Sequence, residues 1–246
     1  MSEHKELLVI LSSFVAGLVN AIAGGGTLLT FPTLVFAGLD PISANVTNTV
    51  ALWLGPLFGA LGFRKHLERS YLKKLVVPSL LGGLVGAVLL ILTPQKTFEL
   101  IVPFLILFAS IILALKSKIT KLVERYRLPY PIVFVAVFLS AVYGGYFGAG
   151  LGILMLASLS LLGIVNIHAA NAIKNLLGFL INLVASVYFA FSGKVYWHYV
   201  FVMMGTFALG GYIGALLAQK MDKKKVEAFI ILWGFFLSVI FFLRLV

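Results

Sequence analysis

Apolar residues run through this chain in long blocks, separated by short polar or glycine-rich stretches. The blocks fall near 7–23, 27–38, 44–63, 72–92, 98–115, 131–148, 151–164, 169–192, 196–218 and 226–243. A helix needs about 20 apolar residues to cross a hydrocarbon core of about 30 Å. Most blocks reach that length, and none alternates as a strand would. The blocks at 27–38 and 151–164 are too short to cross alone, so each is a half-helix completed by irregular backbone or a re-entrant piece. The pattern predicts an all-α polytopic membrane protein with about 8–10 membrane segments. The first block ends in Ala21-Ile22-Ala23, as a cleaved signal would. Its leading residues include Glu3, Lys5 and Glu6 rather than a basic run, so we read it as a membrane helix.

The block pattern repeats. Leu80-Leu81-Gly82-Gly83-Leu84-Val85-Gly86-Ala87 matches Ala208-Leu209-Gly210-Gly211-Tyr212-Ile213-Gly214-Ala215. Glu99 aligns with Glu227, Tyr71 with Tyr199, and Ala44-Asn45 with Ala170-Asn171. The glycines at 24–26 answer Gly148, Gly150 and Gly152. The chain therefore divides into a first repeat, 1–115, a basic connector, 116–130, and a second repeat, 131–246. Counting both short segments as crossings gives five per repeat and opposite orientations, an inverted-topology repeat of the kind found in many secondary transporters. Counting them as re-entrant gives four plus four in parallel. The loop charges favour the inverted form.

Composition changes the picture less than charge does. Hydrophobic residues make up 61% and charged residues 11%, against about 45–50% and about 25% in soluble domains. That excludes a soluble enzyme, a disordered chain and a disulfide scaffold. The net charge of +11 could suggest nucleic acid, but position decides otherwise. Of 19 Lys and Arg, 14 fall within Arg64–Lys74, Lys116–Arg127 and Lys220–Lys225. Basic loops between apolar blocks are the positive-inside signature of cytoplasmic loops, so no nucleic acid partner is expected. Cysteine is absent and the four histidines are scattered, so neither disulfides nor a metal site is expected.

Polar residues inside apolar helices are costly and cluster at functional sites. Here they gather beside the two glycine stretches: Gly24, Gly25, Gly26 and Thr27, with Asn45, Thr47 and Asn48, in the first repeat; Gly148, Gly150 and Gly152, with Asn171, Lys174 and Asn175, in the second. The asparagines and Lys174 recur at helical spacing and share a face. No carboxylate lies mid-helix. Helix N-termini, approachable glycine backbone, side-chain amides and one ammonium all suit an oxyanion. No nucleophile with its base is evident, so no catalytic residue and no cofactor are expected. The spacings Gly82/Gly86 and Gly210/Gly214 are read as helix-packing positions. The asparagines could equally be interhelical glue, and Lys174 could snorkel.

Several motifs carry a family resemblance. Ala23-Gly24-Gly25-Gly26-Thr27-Leu28-Leu29-Thr30-Phe31-Pro32, then Ile42-Ser43-Ala44-Asn45-Val46-Thr47-Asn48, resembles the sulfite exporter TauE/SafE family. Gly148-Ala149-Gly150-Leu151-Gly152, Ser192-Gly193-Lys194-Val195 and Leu209 to Ala215 look similar in the same order. The resemblance implies a permease of the bacterial inner membrane that moves sulfite, sulfonates or related organosulfur anions. Lys174 departs from it, standing where a small polar residue is expected. An inside-negative potential expels anions, at about 2.3 kcal/mol per charge per 100 mV, so the expectation is export by alternating access. The alternative is another small anion or sulfur compound, with proton-coupled uptake. The expected partners are the small anion and the lipid bilayer, and a homo-oligomer is compatible with the sequence.

Overall fold

The computed structural model describes residues 3–22, 25–62, 65, 67–123, 126–164, 166–217 and 222–245. Within these residues the chain is helical and contains no strand. Eleven helices follow one another: α1 (Glu3–Ile22), α2 (Thr27–Ala37), α3 (Pro41–Leu52), α4 (Gly55–Gly62), α5 (Arg69–Leu92), α6 (Gln95–Val123), α7 (Tyr130–Tyr146), α8 (Leu151–Leu161), α9 (Ile167–Ala190), α10 (Trp197–Leu217) and α11 (Lys223–Leu243). By length and composition, α1, α5, α6, α9 and α11 can each cross a membrane. The two short blocks emerge as the 11-residue helices α2 and α8.

Two boundaries differ from expectation. The apolar block 44–63 is not one helix but α3 and α4, parted at Trp53-Leu54. Pro56 has no N–H to donate back to Leu52, the last residue of α3, so the helical ladder is interrupted there. At the other extreme, α6 continues through the start of the basic connector to Val123, 29 residues in all. Its last two turns are amphipathic rather than apolar, so they extend beyond the lipid.

Local signals set the ends. Asp40 caps α3, its carboxylate accepting the Ser43 N–H at 2.9 Å, with Pro41 in the first turn. Replacing Asp40 with Ala should lower stability by about 1 kcal/mol, read as a small fall in thermal midpoint in detergent with unchanged folded yield. Gly38 closes α2 in the left-handed conformation, φ 110°, its N–H returned to Val35 O and that of Leu39 to Leu34 O.

The helices pair across the chain. Helix α1 lies parallel to α10: Glu6 meets His198 at 2.7 Å, Ser13 meets Thr206, and Gly17 meets Phe207. Helix α5 lies parallel to α7, with Tyr130 Oη donating to Lys74 O at 2.6 Å and Gly82 against Phe138. Helix α6 runs antiparallel to α11, linked by Lys116–Glu227 at 3.2 Å and by Ser238 Oγ donating to Pro103 O at 3.0 Å. Helices α3 and α4 run antiparallel to α9, with Trp53 stacked on Phe179 at 5.7 Å and Pro56 beside Gly178. Lys74, Lys116, Arg127 and Lys224 therefore gather at one end of the bundle. Lys5, Glu6, His198 and Arg244 gather at the other. Each glycine-motif helix, α5 or α10, packs on the first helix of the opposite half of the chain.

The core has two apolar clusters. One joins α1, α2, α3, α6, α10 and α11 around Phe31, Phe98 and Tyr199, with Leu90 of α5, Ile153 of α8 and Phe189 of α9 reaching into it. The other joins α5, α7, α8 and α9 around Leu75, Met155 and Ile173. Many large apolar side chains point outward, including Leu92, Phe201, Tyr212 and Leu232. In water such a surface would drive association. In lipid it is the normal outer face.

Candidate functional site

Two irregular stretches interrupt the bundle where the glycines cluster. In the first, Gly25 has φ 88°, a backbone that side chains avoid. A Cβ there would also stand 3.0 Å from Ile230 Cγ2. Gly26 is buried, and its carbonyl accepts the N–H groups of Leu29 and Thr30. Gly24 lies outside the described residues. In the second stretch, Gly148 and Gly150 have φ 82° and 81°. Both stretches abut one face of α6. A Cβ on Gly25 would lie 3.6 Å from Leu113 Cδ2, and one on Gly150 would lie 3.7 Å from Ala109 Cα. Ala109 and Leu113 are one helical turn apart. Two glycine breaks from opposite halves thus meet at the middle of a single helix.

Helices α3 and α9 bring the polar side chains. Asn45 donates from Nδ2 to the carbonyl of Tyr146, the last residue of α7, at 2.8 Å. Thr47 accepts the N–H of Tyr196 at 3.1 Å, clasping α3 to the segment before α10. Asn48 is buried one turn further along. On α9, Asn171, Lys174 and Asn175 are half-buried. The outer part of the Lys174 side chain lies against Gly152: Cδ, Nζ and Cε stand 3.6, 3.9 and 4.0 Å from the point where a Gly152 Cβ would be. An ammonium thus sits beside the first turn of α8, where the N–H of Leu151 is taken by Gly148 O and those of Ile153 and Leu154 by Gly150 O, so the turn contributes chiefly its positive dipole end. Both features favour negative charge.

The threonines contribute differently from the asparagines. Thr30, Thr33 and Thr49 donate their hydroxyl protons to the carbonyls of Gly26, Leu29 and Asn45 in their own helices. Those donors are unavailable to a ligand. Thr27, half-buried, opens α2. His168 is exposed in the first turn of α9.

Two contributors were not singled out from the sequence. Tyr143 donates to the carbonyl of Ala149 at 2.6 Å, folding the second break back on α7. A tyrosine one turn before a glycine break was the available signal. Arg244 lies over the ring of Phe36 at 4.5 Å and lines a cavity of about 220 Å³ with Val35, Pro41, Glu99 and Phe241. That cavity lies at the end of the bundle away from the basic loops.

A bundle of apolar helices with two short ones, glycine breaks from both halves packed against α6, and a half-buried lysine beside one of them is the build of a multi-pass membrane protein of transporter type. The chain belongs to the sulfite exporter TauE/SafE family, whose model matches residues 9–241. It is 31% identical over 240 residues to "Probable membrane transporter protein" of Haemophilus influenzae, covering 95% of this chain and 93% of that one. It is 30% identical to "Probable membrane transporter protein YfcA" of Escherichia coli K12, covering 89% and 83%. It is 24% identical to "Probable membrane transporter protein YunE" of Bacillus subtilis, covering 89% and 91%. No solved structure matches it. The protein is a membrane transporter.

Proposed function

We propose that this protein carries a small sulfur-containing anion, such as sulfite or a sulfonate, out of the cell across the bacterial inner membrane. The observation that carries the reading is the Lys174 side chain lying against Gly152 at the start of α8. An ammonium and the positive end of a helix dipole together form a positive site, and glycine lets a ligand approach the backbone there. The family name supports sulfur oxyanions as the cargo.

The helix directions support opposite orientations for the two halves. With the basic end taken as cytoplasmic, α1 descends from outside while α7 ascends from inside. The glycine-motif helices cross over between the halves, so the bodies that rock in alternating access are mixed. One is built on the α1–α10 pair and the other on the α5–α7 pair. Helix α6, touched by both glycine breaks, is the element they pivot against.

A thermal-shift panel on the purified protein tests the cargo class. Sulfite and short sulfonates should each raise the midpoint in a saturable way, since a ligand that binds only the folded state stabilises it. A rise with carboxylates but not with sulfur oxyanions would assign the site to a different anion.

A further inference from the structure

We propose that the protein also binds a sodium ion, at the C-terminal end of α7, using the side-chain oxygens of Asn45 and Asn48. This rests on the anion-transport reading and adds a cation site beside the anion. Asn45 is 1% exposed and Asn48 2% exposed. The Oδ1 of each is buried without a hydrogen-bond donor. For Asn45 the orientation is determined by chemistry. Its Nδ2 donates to Tyr146 O at 2.8 Å, and turning the amide over would set two oxygens against each other. Its unpaired atom is therefore an acceptor. Leaving such an acceptor empty is unfavourable, and the Asn48 oxygen stands on the same side of α3, three residues on.

The surroundings are also acceptors, the carbonyls of Tyr146 and Ala149 each having one hydrogen bond already and a second lone pair left. Asn45 sits on the last carbonyl of α7, the negative end of that helix's dipole. Beyond it the backbone is irregular from Phe147 to Gly150, and this stretch turns the Ala149 carbonyl to the Tyr143 hydroxyl. Helix C-termini, unwound carbonyls and amide oxygens are what hold coupling cations in broken-helix transporters. Asp40, on the same chain segment, has its carboxylate engaged by the Ser43 N–H. A site of neutral oxygens without a carboxylate suits a hard monovalent cation rather than a divalent one, which needs charged ligands to offset its dehydration. The arrangement has a second consequence. The cation end (α7 terminus, Asn45, Asn48) and the anion end (α8 start, Lys174) flank the same break, Gly148 to Gly150, so each charge would stabilise the other.

The test uses the full chain in detergent at fixed chloride and ionic strength, with sodium, potassium or choline as the cation. Sodium alone should raise the thermal midpoint in a saturable way. Asn45→Leu and Asn48→Leu should each weaken the sodium effect at least tenfold, while sulfite added as its choline salt shifts the unmodified protein without sodium. Identical midpoints of the unmodified protein in all three cations would overturn the proposal and assign the two oxygens to a buried water. A sodium effect that survives in both variants would equally overturn it, by placing the ion elsewhere. Since sulfite is scored in choline, failure of the sodium site and failure of the anion reading give different results.

Discussion

Replacing Gly86 with Val should leave almost no folded protein in the membrane, whereas Gly205→Ala should be tolerated. Both are glycines inside long apolar helices, so composition does not distinguish them. At Gly86 a Cβ would collide with the backbone of α7, overlapping Val142 O and standing 2.8 Å from Tyr146 N. Backbone cannot rotate away as a side chain can, so α5 and α7 must separate along their length. The expected cost is about 3 kcal/mol or more, at the upper end of overpacking effects. Around Gly205 nothing lies within 4 Å. Folded yield by size exclusion and the thermal midpoint in detergent would check the contrast. Gly210 and Gly214, set against Phe14 and Leu18 of α1, should behave like Gly86.

Lys174→Met should weaken sulfite binding by about 10- to 100-fold and leave folding intact. The magnitude follows from losing one charge-assisted hydrogen bond, about 1.5–3 kcal/mol. Methionine keeps an apolar stem of similar length, so the space beside Gly152 stays filled. Binding measured by calorimetry at a temperature where the ligand-free variant is folded, as its own midpoint shows, would separate this from a folding defect. Unchanged affinity would make Lys174 an anchoring residue at the membrane interface.

The lengths of the apolar blocks and the glycine spacing made most of the helices legible in the sequence. Helices α2 and α8 appear where short blocks follow glycines, and Gly82, Gly86, Gly210 and Gly214 are close-packing positions. The break between α3 and α4 was hidden because the apolar run does not pause there. A Gly-Pro step mid-block was the only mark. The site was legible in parts only. The residues were visible, but the pairings were not. Asn45 reaches a carbonyl 101 positions away, and Thr47 an N–H 149 away. Such pairings depend on which helices lie side by side, which a single sequence does not encode locally. The threonine hydroxyls show the same limit, because a donor in the sequence can already be spent on its own helix.

The central claim is that a positive site beside the α8 break moves a sulfur oxyanion across the membrane. Purified protein in liposomes loaded with radiolabelled sulfite, under an imposed potential negative on the loaded side, tests it most directly. The account predicts efflux that rises with the potential, is at least tenfold slower for Lys174→Met, and is competed by unlabelled short sulfonates. Efflux equal to that from protein-free liposomes, or equal in the Lys174→Met variant, would contradict it.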